Sequence, residues 1–144
     1  MSYLEDNETS RARLISLVDR LTDQQLAMET GDGWTVSSVL VHLAFWDNRG
    51  LNLIKRWKKT GVGHSPIDID NVNDAMLPLC LAIPAHEAVR LVISAAQAVD
   101  AELAHLPKEL KPGIEDLVRE GKFRLNRSLH RNVHLDQIER SISP

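Results

Sequence analysis

The sequence predicts an all-α fold, a bundle of four long helices, on three observations. Apolar residues recur at i, i+3, i+4 and i+7 over long stretches, the signature of one buried helix face. No segment alternates apolar and polar residues as a half-buried strand would. Proline, glycine and capping residues punctuate the periodic stretches where helices should start and stop.

The first helix is expected from about Thr9 or Ser10 to Leu21, with Leu14, Leu17, Val18 and Leu21 at helical spacing. Thr22-Asp23-Gln24-Gln25 reads as a capping box, in which the threonine oxygen accepts from the third amide and Gln25 reaches back. A short element over Asp23 to Met28 follows, and "TGDG", Thr30 to Gly33, is a turn. Thr35 is a good N-cap for the second long helix. Val36, Val39, Leu40, Leu43, Gly50, Leu53, Ile54 and Trp57 mark its inner face. Its end is expected near Thr60, where "KRWKK" complements the helix dipole and Gly61 suits the position just beyond.

Gly61 to Asp70 is loop by composition. "NVNDAMLPLC" is expected to hold at most a turn or two before Pro78 stops it. The third long helix begins near Pro84 and closes at Leu106-Pro107, with Val89, Val92, Ala96, Val99, Leu103 and Leu106 as its stripe. From Ile114 to about Ser141 the chain is again helical, with Gly121 as the place where it can break.

With 144 residues, 43% of them hydrophobic and 26% charged, the chain is expected to form one domain over 1–144 with its own core. A net charge of −3 argues against a general binder of nucleic acid or anionic membranes. A single cysteine, Cys80, allows no internal disulfide and fits a reducing compartment. "MSYLEDNETS" has neither a basic nor an apolar leader segment, and no apolar run is long enough to span a bilayer, so a cytoplasmic protein is expected.

Chemistry concentrates in the histidines. His130 and His134 form an H-x3-H pair, which on a helix puts both rings on one face, where they can share a divalent ion. Phe123 and Ile138 are expected on that same face, turning it into the bundle. The pair alone is weakly specific, since no glutamate lies between as in the zincin H-E-x-x-H pattern. His42, at the edge of the second helix's apolar stripe, supplies a third imidazole. Three imidazoles from two helices would supply a three-ligand site with positions left open; the other reading is a satisfied core histidine at His42 and two partly exposed, hydrogen-bonded histidines at His130 and His134.

Other residues have two readings. Asp47, about 140° further round the helix than His42, is better suited to a supporting or structural role than to the same ion. Trp34 and Trp46 either wall a pocket or belong to the core. Arg127, one turn before His130, either orients an anionic substrate or snorkels at the surface. Lys55, Arg56, Lys58 and Lys59 form an anion patch or a solvated helix end. Cys80 reads as a buried thiol, and His64, His86 and His105 as surface residues, with His64 in a loop that can approach a cleft.

"GWTVSSVLVHLAFWD" followed by "HRNVHLDQI" resembles the DinB-like superfamily, which includes maleylpyruvate isomerase N-terminal-like and bacillithiol transferase-like proteins. The shared pattern is W-[TS]-x(4)-L-x-H-L, matched by Trp34, Thr35, Leu40, His42 and Leu43. It continues as H-x3-H-x2-[QE]-I, matched by His130, His134, Gln137 and Ile138. The resemblance runs over essentially the whole chain, including "DNVN" (Asp70 to Asn73). It implies an up-down-down-up four-helix bundle, with a divalent metal, zinc or nickel, held by His42, His130 and His134. It also brings Asn73 forward, beside Trp46 and Arg127, as a candidate substrate-binding residue.

What the resemblance implies for activity is a metal-dependent enzyme of the thiol transferase, isomerase or hydrolase type. A low-molecular-weight thiol or water would attack a small electrophilic substrate. The competing readings are a non-catalytic metal or small-molecule binder that sequesters a toxic compound, and an interaction module with vestigial histidines. A homodimer is expected, since small bundles often pair symmetrically.

Overall fold

A computed structural model describes residues 2–144. Its regular structure is helical apart from one two-stranded ribbon. Helix α1 spans Tyr3–Asp19 and α2 spans Asp23–Leu26. Strands β1 (Glu29–Gly31) and β2 (Trp34–Thr35) lead into α3 (Val36–Thr60). Helices α4 (Ile69–Ala82), α5 (Ala85–Ala104), α6 (Lys111–Arg119) and α7 (Ser128–Ile142) complete the chain.

Helix α1 starts well before the expected Thr9. Ser2 and Glu5 close a capping box, the serine Oγ accepting from the Glu5 amide at 3.2 Å and Glu5 accepting from the Ser2 amide at 3.0 Å. The early turns escaped the periodicity because their inward positions are polar: Asn7 and Ser10 are each 2% exposed. The capping box at Thr22 and Gln25 forms in both directions, as expected.

The turn at Thr30 to Gly33 belongs to an antiparallel ribbon that the sequence did not announce. Glu29 faces Thr35 and Gly31 faces Trp34. Two strands this short show no alternation, and the chain reverses through positive φ at Gly31, Asp32 and Gly33. Thr35 then caps α3, which ends at Thr60 with Gly61 at φ 86°.

Pro78 does not stop the chain: α4 runs through it as an unbroken helix. Pro78 and Asp74, the residue whose carbonyl loses its amide donor, are both exposed, so the freed carbonyl faces water. Asp68 starts this helix by accepting from the Asn71 amide at 3.3 Å. Helix α5 keeps the expected stripe, with Ala88 fully buried in place of the half-buried Val89. The last region is two helices rather than one, separated by residues 120–127, with Gly121 at φ 71° inside the break. Phe123 therefore lies outside α7 and does not share the histidine face. It packs edge-on against Trp57 with ring centroids 5.0 Å apart.

Helix α3 lies along α5, α1 packs on α5 and α7, and α4 covers α3. The core divides in two. One cluster gathers Leu14, Leu40, Leu43, Val92, Leu135 and Ile138. The other gathers Ile54, Trp57, Leu103, Ile114, Leu117 and Phe123. Buried polar residues fall between them along each helix: Asn7 and Ser10 on α1, Asp47 on α3, Asp100 on α5 and Arg131 on α7. Among the described residues no helix is long and apolar enough to cross a membrane.

Candidate metal centre

His42 stands two turns into α3, 7% exposed, and His130 and His134 stand half-buried on α7. The packing of α7 on α3 closes the triangle. The His42 ring centroid is 5.1 Å from that of His130 and 4.8 Å from that of His134, and the α7 pair is 4.8 Å apart. One ring nitrogen from each lies within 4.8 Å of the others, and His42 Nε2 approaches His130 Nε2 to 3.1 Å.

The chemistry of this donor set fits a divalent cation. Two nitrogens bound at about 2.0–2.1 Å to one ion stand between about 2.9 Å, at a right angle, and about 3.4 Å, at the tetrahedral angle. The observed 3.1 Å separation falls in that interval. The rings are also in the protonation state a ligand needs. Burial, and then repulsion from His134, lowers the His42 pKa to about 4. Burial, with the neighbouring histidines and Arg127 and Arg124 behind it, lowers His130 to about 3. His134 is lowered by burial against the opposing effect of its hydrogen bond to Gln137. All three are neutral at pH 7.

Tautomers follow from the partners. His134 Nδ1 donates to Gln137 Oε1 at 2.8 Å, since an amide oxygen only accepts. That leaves His134 Nε2 bare, the second contact that orients a ligand imidazole. His42 Nδ1 is buried with no hydrogen-bond partner among the described residues. The space between the His42 and His130 nitrogens holds at most one proton or one cation.

The histidines line a cavity of about 690 Å³, within the usual size range of small-molecule sites. Trp34 meets His42 edge-on at 5.3 Å, and Trp46 does so at 6.5 Å. Both tryptophans pack on the core and line the cavity, so the two readings of them converge. The Trp46 indole N–H donates to Asn73 Oδ1 at 3.0 Å, and Asn73 lines the cavity. His64 lines the same cavity and is exposed, while His86 and His105 are exposed elsewhere.

Arg127 is not a snorkelling surface residue. It is 9% exposed, its Nε donates to Asp47 at 3.0 Å, and it lines the cavity. Asp47 is structural rather than a ligand: it bridges Arg127 and, at 3.2 Å, Arg131. Arg131, 1% exposed, also takes both oxygens of Asp100 at 2.8 and 2.9 Å. Sequence reasoning passed over Arg131, Asp100 and Arg49. The available signal was an aspartate, Asp100, set inside the apolar stripe of α5, and an arginine four residues before the core Leu135. The basic run at Lys55 to Lys59 is a solvated helix end, with Lys58 paired to Glu102. Cys80 is buried, which raises its thiol pKa.

No curated protein and no solved structure matches the chain. A family profile, that of the DinB superfamily, matches it over residues 7–134. That span holds the whole of α3 and all three converging histidines, and on it the chain belongs to the DinB superfamily.

Proposed function

We propose that the protein is a divalent-metal-dependent enzyme in which His42, His130 and His134 hold zinc or nickel. In this reading a low-molecular-weight thiol or water attacks a small electrophilic substrate. The observation that carries the reading is the approach of neutral imidazoles from two helices, 3.1 Å between the nearest nitrogens, in the wall of a 690 Å³ cavity. A dication on three neutral ligands keeps its full charge and acidifies a thiol or water beside it.

The chain's own residues do the rest. Gln137 fixes the His134 ring so that Nε2 faces its partners. Trp34 and Trp46 give the substrate apolar walls and limit water near the histidines. Asn73 holds the Trp46 indole in place, and Arg127 sets a positive charge at one side. The same reading takes α1, α3, α5 and α7 as an up-down-down-up bundle forming one cytoplasmic domain. It pairs two copies as a homodimer, for which the exposed Leu79, Leu129 and Val133 supply apolar surface; light scattering on the purified protein tests that pairing.

The decisive experiment is elemental analysis of untagged protein after supplementation with zinc or nickel, beside His42→Ala. The wild type should carry about one ion per chain and the variant almost none; a variant with its full complement overturns the assignment. Panels of thiols and electrophiles then separate catalysis from sequestration. Multiple turnovers support the enzyme, and consumption of one equivalent supports a sequestering protein.

A further inference from the structure

The charges packed beside the cavity do not balance once half-buried groups are counted with the buried ones. The polar layer holds two carboxylates, Asp47 and Asp100, 3% and 6% exposed. Three guanidiniums share them: Arg11 meets Asp100 at 2.6 Å, Arg127 meets Asp47, and Arg131 meets both. Arg49, two residues after Asp47, adds a fourth. It is half-buried, and its one bond runs to the main-chain carbonyl of Ser65 at 2.8 Å, a neutral partner. The Arg49 pKa is lowered by burial and then by repulsion from Arg127.

Both line the cavity. Arg127 is nine-tenths buried, yet neither of its terminal nitrogens has a hydrogen-bond partner among the described residues; only Nε is engaged. This guanidinium packs beside Gly50, where an added Cβ would stand in ordinary contact, 4.0 Å from its Cζ and from one terminal nitrogen. The cavity's own carboxylates, Asp32 and Asp74, are exposed and are screened by water. Arg127 spends only Nε on Asp47 and Arg49 bonds only a neutral carbonyl, so both leave donors in the cavity that an anion can take.

We propose that Arg49 and Arg127 form an anion subsite and that the molecule bound in this cavity is recognised by a carboxylate. A guanidinium fork matches a carboxylate in plane and spacing, which a point charge does not. The inference rests on the proposed reading of the cavity only in placing the reacting end of that molecule at the histidines. It names the substrate class as a carboxylic acid, or a thiol that carries one.

The test uses benzoate and its neutral isostere benzamide. Each is titrated into zinc-loaded and into chelator-treated protein, followed by calorimetry and by tryptophan fluorescence. Benzoate should bind at least about tenfold more tightly than benzamide, with Arg49→Gln removing about tenfold of that preference and Arg49→Lys restoring part of it. Should the variant fold poorly, phenylglyoxal labelling of the wild type reads the same contact. Benzoate, and not benzamide, should slow modification of Arg49. Equal affinities for the two probes, an unchanged preference in Arg49→Gln, or labelling of Arg49 at the same rate with benzoate would each overturn the subsite. The benzoate preference should persist in chelator-treated protein. Zinc binding without a benzoate preference therefore overturns the subsite alone, and a benzoate preference without zinc binding overturns the metal reading alone.

Discussion

The Nε2 atoms of His42 and His130 stand 3.1 Å apart where α7 crosses α3, each on a ring that burial keeps neutral. Burial first, and then repulsion from the neighbouring imidazoles, makes the folded chain a poor base at this point.

Stability of the metal-free protein should therefore fall as the medium is acidified. Above pH 6.5 the three rings are neutral both folded and unfolded and contribute nothing. Below it the unfolded chain takes up protons that the folded one refuses, until the folded pKa values of about 4 for His42 and about 3 for His130 are reached. Urea midpoints should drop between pH 7 and pH 4.5, and His130→Gln should flatten that slope. An equal slope in the variant would show that other groups carry it.

Gln137 should matter to metal affinity without touching the ion. It holds His134 through Nδ1 at 2.8 Å. Gln137→Ala should weaken zinc binding by about 10–100-fold, as loss of an outer partner does elsewhere. Competition against a chromophoric chelator measures it, and an unchanged constant would mean that the ring is oriented by packing.

Asp47→Ala should be costly for the fold. The substitution strips a carboxylate from two buried arginines, of which Arg127 has no other. The loss should be about 3–5 kcal/mol, read as a lower urea midpoint. A change below about 1 kcal/mol would class the contact with exposed ion pairs.

Gly113→Ala offers the opposite of its usual effect. Alanine in a helix normally gains about 0.5–1 kcal/mol over glycine. Here a Cβ would lie 2.9 Å from Val62 Cβ, so α6 must retreat from the loop after α3. The expected result is a loss of about 1–3 kcal/mol, with Val62→Ala in the same chain relieving much of it. A stabilised single variant would show that the loop yields freely.

Much of the architecture was written in local pattern. Helix α3 could be bounded to the residue because Thr35 and Gly61 are strong signals around a regular apolar face. The converging histidines were visible because i and i+4 spacing is local and His42 breaks an apolar run. What escaped was tertiary in origin. The inner face of early α1 is polar because it meets arginines at and just before the start of α7: Asn7 accepts from the Arg127 amide at 2.6 Å, and its carbonyl accepts from Arg131 at 3.1 Å. No periodicity reports such a face. Pro78 was read as a stop because the rule concerns the helix alone, whereas water on the exposed side of α4 supplies what the missing amide would have given. Arg49 gave no signal, since a lone arginine on a long helix looks like any solvated side chain.

Arg131 follows His130 directly in the chain and is clamped to α3 and α5 through Asp47 and Asp100. A guy-rope fastened one residue from a ligand leaves α7 little freedom to slide, so the bite of the histidine triangle is set by arginine–carboxylate geometry some way off. The centre should consequently discriminate among ions by radius: a larger cation would have to stretch the clamp before the rings could part to admit it.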